Sequence, residues 1–158
     1  MNFTDKTAIV TGGSRGIGFT IAKALCKAGI NVLICGRNLE SIEKAVNSLE
    51  FFGFVSGMQC DVTKYDEVCA MMDTAKKKFG NVDILINNAG VAHNGDIEEH
   101  TPETWAETIN TNLTGVFYCC KEVVKLMKKR GGYIINISSR SGTNPYSGDI
   151  AYTASKFA

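Results

Sequence analysis

Thr11-Gly12-Gly13-Ser14-Arg15-Gly16-Ile17-Gly18 is the stretch on which the fold turns. It follows the apolar run Ala8-Ile9-Val10. It precedes residues 17–28, where Ile21, Ala22, Leu25 and Ala28 recur on one helical face before Gly29. Strand, glycine turn and helix in that order set backbone N–H groups at a helix N-terminus, where they favour an anion, and the glycines let a pyrophosphate come close. A glycine loop by itself is equally consistent with a plain tight turn. Its place after a strand and at the opening of a helix makes it a dinucleotide site, with Gly12, Ser14, Arg15, Gly16, Ile17 and Gly18 as candidate contacts. It lacks the Gly-Lys-Ser/Thr ending of a P-loop, which disfavours a nucleoside-triphosphate hydrolase.

Outward from this turn the same alternation continues. Residues 32–35 form a second apolar run ending at Gly36, and 39–49 a helical pattern with Ile42, Ala45, Val46 and Leu49. A weaker strand covers 54–60 and a helix 66–79 ending in Lys76-Lys77-Lys78, a charge run suited to a helix C-terminus. A fourth strand covers 82–86. Thr101-Pro102-Glu103-Thr104 then opens a long helix whose stripe runs through Trp105, Ile109, Leu113, Val116, Phe117, Cys120, Val123, Val124 and Met127. A fifth strand, 133–137, is followed by a loop to about Asp149 and the start of another helix. Strands that are apolar throughout, separated by helices, predict a doubly wound parallel α/β sheet of Rossmann type, in a single domain over 1–158.

Composition removes several classes. Seventeen basic against sixteen acidic side chains leave a net charge of +1, which argues against nucleic-acid binding through a large basic surface and against a polybasic membrane binder. No apolar run reaches the ~18 residues of a membrane span. The N-terminus has no long apolar signal-peptide core, so a cytoplasmic location is expected. The six cysteines form no CxxC and the two histidines stand apart, so no metal site is expected and the cysteines read as reduced, mostly buried thiols.

Further candidates lie at strand ends, where ligands bind in open α/β sheets. About 20 residues past the glycine loop an acid would favour an unphosphorylated ribose. That arithmetic lands on Gly36, followed by Arg37, with Glu40 the nearby carboxylate. Arg15 and Arg37 are either solvated surface charges or partners for a 2′-phosphate, which would favour NADP(H) over NAD(H). Asp61-Val62 and Asn87-Asn88-Ala89-Gly90 close the third and fourth strands. Asn112 falls on the apolar face of the long helix; a buried amide needs partners, which a local backbone bond, a kink or a functional role would each supply. Tyr152 and Lys156 share a helix face at i, i+4. Any helix can carry such a pair by chance. A nearby ammonium also favours a phenolate, which suits general acid/base work on a carbonyl.

Together these residues identify a resemblance to the short-chain dehydrogenase/reductase family. TGGSRGIG at 11–18, Asp61, NNAG at 87–90, Asn112, NISS at 136–139 and YTASK at 152–156 carry it across essentially the whole chain. In detail the chain looks like bacterial 3-oxoacyl-acyl-carrier-protein reductases and their carbonyl-reductase neighbours. The resemblance implies that Tyr152 exchanges a proton with the substrate oxygen, and that Lys156 lowers its pKa and binds the nicotinamide ribose. It also implies that Ser139 polarises the substrate oxygen and Asn112 holds a relay water. Arg37, Asp61, Val62, Asn88, Ala89 and Gly90 join the cofactor contacts, together with Tyr152 and Lys156. The substrate expected is a small-molecule or acyl-thioester carbonyl, bordered by Val91 to Asn94 and by Arg140, Asn144 and Tyr146.

Members of that family normally continue past the Tyr–Lys helix into further strands, a substrate-covering segment and much of an oligomer interface. The expectation is therefore a C-terminally truncated chain that forms a homo-oligomer only when full length. The fifth strand should be an exposed edge, and the Tyr152 helix too short to hold itself together. The rival reading is a non-catalytic nucleotide-binding fragment.

Overall fold

The computed structural model describes residues 3–145 and 148–158. Five parallel strands, β1 (Thr7–Thr11), β2 (Asn31–Gly36), β3 (Val55–Gln59), β4 (Ile84–Asn87) and β5 (Tyr133–Asn136), lie in the order β3-β2-β1-β4-β5. Val10 stands between Ile34 of β2 and Ile86 of β4. Successive side chains of a strand point to opposite faces, and both faces are covered. Ala8, Val10, Val32 and Ile34 pack on one side against α1 (Gly16–Lys27) and α2 (Leu39–Leu49). Ile9, Leu33, Cys35 and Leu85 pack on the other against α3 (Tyr65–Phe79) and a later helix through Val68, Met71, Cys119 and Val123. This two-sided burial is why the strand sequences do not alternate with polar residues. Cys26, Cys35, Cys60 and Cys119 are buried, and burial pushes the Cys119 thiol up to about 12.

The chain runs outward from β1 to β3, then returns to lay β4 on the other side of β1. That reversal opens a crevice at the carboxyl ends of β1 and β4, the place where doubly wound sheets bind ligands.

The predicted long helix is interrupted. It divides into α4 (Pro102–Ile109), a π-helical turn (Asn110–Thr114) and α5 (Gly115–Met127). The extra residue in the π turn rotates the buried face. Thr108, Thr111, Asn112, Gly115, Cys119 and Val123 face inward, whereas Trp105, Leu113, Phe117 and Val124 of the predicted stripe are exposed. Gly115 shows why. A Cβ there would lie 2.8 Å from Val62 Cγ2, so only glycine permits this approach of helix to strand end, and that contact selects the small-residue face.

β5 is a sheet edge exposed along all four of its residues, unlike β3 at the other edge, where Val55 and Ser56 are buried. The segment after it contains a 3₁₀ turn (Arg140–Gly142), and α6 (Ile150–Phe157) follows, capped by Asp149 Oδ1, which accepts from Tyr152 N at 2.9 Å. Eight residues do not make a helix stable alone. Tertiary ties to α6, described below, supply what its length does not.

Candidate functional site

The glycine turn is fixed by the loop that follows β4. Thr11 Oγ1 accepts from the main-chain N–H groups of Asn88 and Ala89, both at 3.0 Å, and Asn88 Nδ2 donates to Thr11 O at 2.9 Å and Gly12 O at 3.1 Å. Asn88 therefore spends its amide on clamping the turn. Gly16 sits at φ +55° with open space around its missing side chain, a conformation glycine adopts without strain. Gly18 is needed for contact instead: a Cβ would meet Gly12 O and Asn88 Nδ2 at 2.4 Å each. The first turn of α1 carries no acidic residue, and its N-cap Arg15 makes no side-chain cap bond. Its N–H groups are thus left to an outside anion.

A cleft of about 430 Å³ opens over this helix end. Gly12, Ser14, Arg15, Gly16 and Ile17 form one wall, Arg37 another, and Asp61, Val62, Asn88, Ala89 and Gly90 the floor and far side. Gly18 lies beneath the turn. Thr111, from the π turn, also lines the cleft, and its Oγ1 is buried without a hydrogen-bond partner. The glycine cradle and the free helix end fit a bound dinucleotide. Asp61 is held by its own turn, Oδ1 accepting from Thr63 N and Oγ1 at 3.0 and 2.9 Å.

Asn112 joins the cleft to α6. Its Oδ1 accepts from Val91 N at 2.9 Å, while Nδ2 donates to Val91 O at 2.9 Å and to Ser155 Oγ at 3.0 Å. Val91 continues the cleft wall beyond Gly90, and Ser155 lies beside Lys156 on α6. The buried amide thus has its partners, and it also sits in the helix interruption. Lys156 Nζ donates to Ile137 O at 2.7 Å, at the end of β5, and lies 5.5 Å from the Tyr152 ring centroid. Burial pushes the Lys156 ammonium below its ordinary value. Ser139 Oγ accepts from Ser141 N at 3.1 Å, capping the 3₁₀ turn. That turn packs on α6 at Gly142, where a Cβ would come within 2.5 Å of Lys156 O. Ser139, Tyr152 and Lys156 therefore belong to one packed unit, tied to the cleft through Asn112. Gly95 N donates to Gly148 O at 2.9 Å, bringing the loop after Val91 to Asn94 against the loop before α6. Tyr146 lies outside the described residues.

One site residue escaped the sequence. Arg37 Nη1 donates to Glu107 Oε1 at 3.1 Å, and Glu107 Oε2 meets His93 Nε2 at 3.0 Å. The Arg37 guanidinium beside it holds the Glu107 carboxyl below its ordinary value. Glu40, the nearby carboxylate in sequence, instead pairs with Lys44 at 2.6 Å on the outer face of α2.

A parallel sheet with a glycine-lined cleft at its switch point is the architecture of the doubly wound class, which binds ligands at that place. The chain belongs to the short chain dehydrogenase family, whose profile matches residues 6–158. It is 41% identical over 155 residues to the 3-oxoacyl-acyl-carrier-protein reductase of Chlamydia trachomatis, covering 96% of this chain and 62% of that one. It is 39% identical over 158 residues to a 3beta-hydroxysteroid dehydrogenase of Mediterraneibacter gnavus, covering 99% and 57%. Among solved structures it resembles a variant of actinorhodin polyketide ketoreductase with NADPH, at TM-score 0.93 and 38% identity over 96% of this chain and 60% of that one. The chain thus spans about three-fifths of the length of the relatives it matches. No helix among the described residues is long and apolar enough to cross a membrane.

Proposed function

We propose that this chain carries the nucleotide-binding and proton-transfer parts of an oxidoreductase that interconverts a carbonyl and a secondary alcohol, with NADP(H) preferred over NAD(H). The nicotinamide, when bound, supplies the hydride chemistry. The chain's own residues bind, orient and move the proton. Gly12, Ser14, Arg15, Gly16 and Ile17 present the helix end to the pyrophosphate. Arg37, with Arg15 nearby in the same cleft, answers the 2′-phosphate, and Asp61, Val62, Ala89 and Gly90 border the nucleoside. Tyr152 gives its proton to the carbonyl oxygen, Ser139 hydrogen-bonds that oxygen, and Lys156, beside the Tyr152 ring, holds the ribose. Both amide hydrogens of Asn112 are engaged with Val91 and Ser155, so its part is chiefly to position; only Oδ1 keeps a lone pair for a relay water.

The observation that carries this reading is the Asn112 bridge, which ties the cleft wall at Val91 to the Tyr152–Lys156 helix at Ser155. The relatives' names cover a steroid alcohol, a 3-oxoacyl thioester and a polyketide ketone. A secondary alcohol or ketone is common to all three, and a 3-oxoacyl thioester is a leading candidate substrate. NADPH titration run beside NADPH oxidation over a panel of 3-oxoacyl thioesters and 3-ketosteroids tests the proposal. Turnover of one panel member that is lost in Tyr152→Phe supports it. Binding without turnover on the whole panel makes the chain a nucleotide-binding unit only, and no binding refutes the site.

A further inference from the structure

Arg37, just past the end of β2, lines the cleft, and Glu107, on α4 four residues before the cleft-lining Thr111, meets it without itself lining the cleft. Their ion pair joins the end of β2 to α4, and the His93 contact holds the second carboxylate oxygen. The Arg37 and Glu107 side chains are 58% and 40% exposed, so the pair is wet and readily exchanged. A ribose 2′-phosphate seeks the same guanidinium, since planar arginine pairs well with phosphate oxygens. Glu107 holds only Nη1 of the guanidinium, so the phosphate shares or displaces that contact, and in either case lies near the carboxylate as a like charge. A ribose 2′-hydroxyl has no such competitor and can donate to a carboxylate.

We propose that Glu107 is a specificity-determining residue for the cofactor. Its carboxylate competes with the 2′-phosphate of an adenine dinucleotide for Arg37 and narrows the preference for NADP(H) over NAD(H). The inference rests on the nucleotide-binding reading above and extends it, because the preference then depends on a residue on α4 as well as on the residue after β2. His93 contributes by holding the second carboxylate oxygen of Glu107.

Calorimetric titration of NADPH and NADH into the wild-type chain, Glu107→Gln, Arg37→Ala and the double variant provides the test, with melting curves to establish that each variant is folded. Glu107→Gln should tighten NADPH roughly two- to fivefold and leave NADH nearly unchanged, the scale set by one partly exposed charge contact. In the double variant the glutamine should no longer tighten NADPH. An unchanged NADPH/NADH ratio in Glu107→Gln, or equal tightening of both, overturns the inference. The wild-type ratio separately tests the cofactor preference. If wild type favours NADH and Glu107→Gln still moves the ratio toward NADPH, the inference stands and the preference fails. If Arg37→Ala leaves NADPH affinity unchanged, both fall.

Discussion

Asn112→Ala removes three hydrogen bonds that join the cleft wall to α6. Two go to the main chain of Val91 and one to Ser155 Oγ, all at 2.9–3.0 Å from a side chain that is 5% exposed. Each such bond contributes about 0.5–1.5 kcal/mol net, so the three together stabilise by about 2–4 kcal/mol. Ser155 keeps a partner, since its hydroxyl also donates to Tyr152 O at 2.7 Å, whereas Val91 loses both of its contacts to this amide. The cost should therefore concentrate at Val91. Urea unfolding of wild type, Asn112→Ala and Ser155→Ala measures it. Ser155→Ala removes one of the three bonds together with its own bond to Tyr152 O, and should cost about 1–2 kcal/mol, below the asparagine variant. Hydrogen exchange at the Val91 amide and along α6 should accelerate in Asn112→Ala under native conditions. A loss below about 1 kcal/mol with unchanged exchange at Val91 would refute the argument, because a bonded buried amide cannot be removed so cheaply.

Gly18→Ala places a methyl 2.4 Å from Gly12 O and Asn88 Nδ2. Backbone on one side and a bonded amide on the other leave little room to adjust, so about 1–3 kcal/mol of stability should be lost in urea melts, and NADPH affinity with it. Tyr152→Phe keeps the ring and removes the proposed proton donor; kcat should fall by at least about 100-fold while NADPH affinity stays within about twofold, and near-normal kcat would remove Tyr152 from the chemistry. Tyr65 donates to Glu122, and that bond, with its neighbouring negative charge, pushes the phenol from 10.0 up to about 12. A pKa raised on folding means that the stability it contributes is whole below pH 10 and is lost as pH rises toward about 12. Tyr65→Phe should flatten that alkaline loss in urea melts across the window, and an identical pH profile for both chains would contradict it.

Much of this site was legible because its parts are local. The apolar runs that end at glycines became strands, and Leu39–Leu49 is a helix at the predicted bounds because Asn38 caps it and Ile42, Ala45 and Leu49 share one buried face. The cleft residues Gly12 through Ile17, Asp61, Val62 and Gly90 lie at strand ends, so alternation alone brings them together. The interruption at 110–114 was not legible. The stripe from Trp105 to Met127 satisfies helical spacing, and what overrides it is the close approach of Gly115 to Val62, a contact between residues 53 positions apart. Asn112 illustrates both sides. A polar amide on an apolar stripe was the right signal, but it is buried with Thr108, Thr111 and Gly115 rather than with Leu113 and Phe117. Glu107 gave no signal at all: beside Trp105 and Thr108 it reads as a solvated helix residue, and only the folded chain sets it against Arg37.

The short helix α6 shows why the cleft and the proposed catalytic side chains form one unit. Helix formation is cooperative, and one or two turns cannot offset the cost of nucleation in water. The order of Tyr152 and Lys156 must come from outside the helix. Asp149 caps its first turn, Asn112 holds Ser155, Ile137 O binds Lys156 Nζ, and Gly142 packs beneath Lys156 O. Two of these four partners belong equally to other parts of the site. Asn112 fixes the cleft wall at Val91, and Ile137 is bonded through its N–H to Asn87 O at the end of β4. A disturbance of the β4 exit therefore reaches α6 through two separate bonds, with no direct contact needed between cleft and phenol. Catalysis requires reacting groups held close to productive geometry, and here the same strand end that shapes the cleft also supports the helix bearing the proposed proton donor.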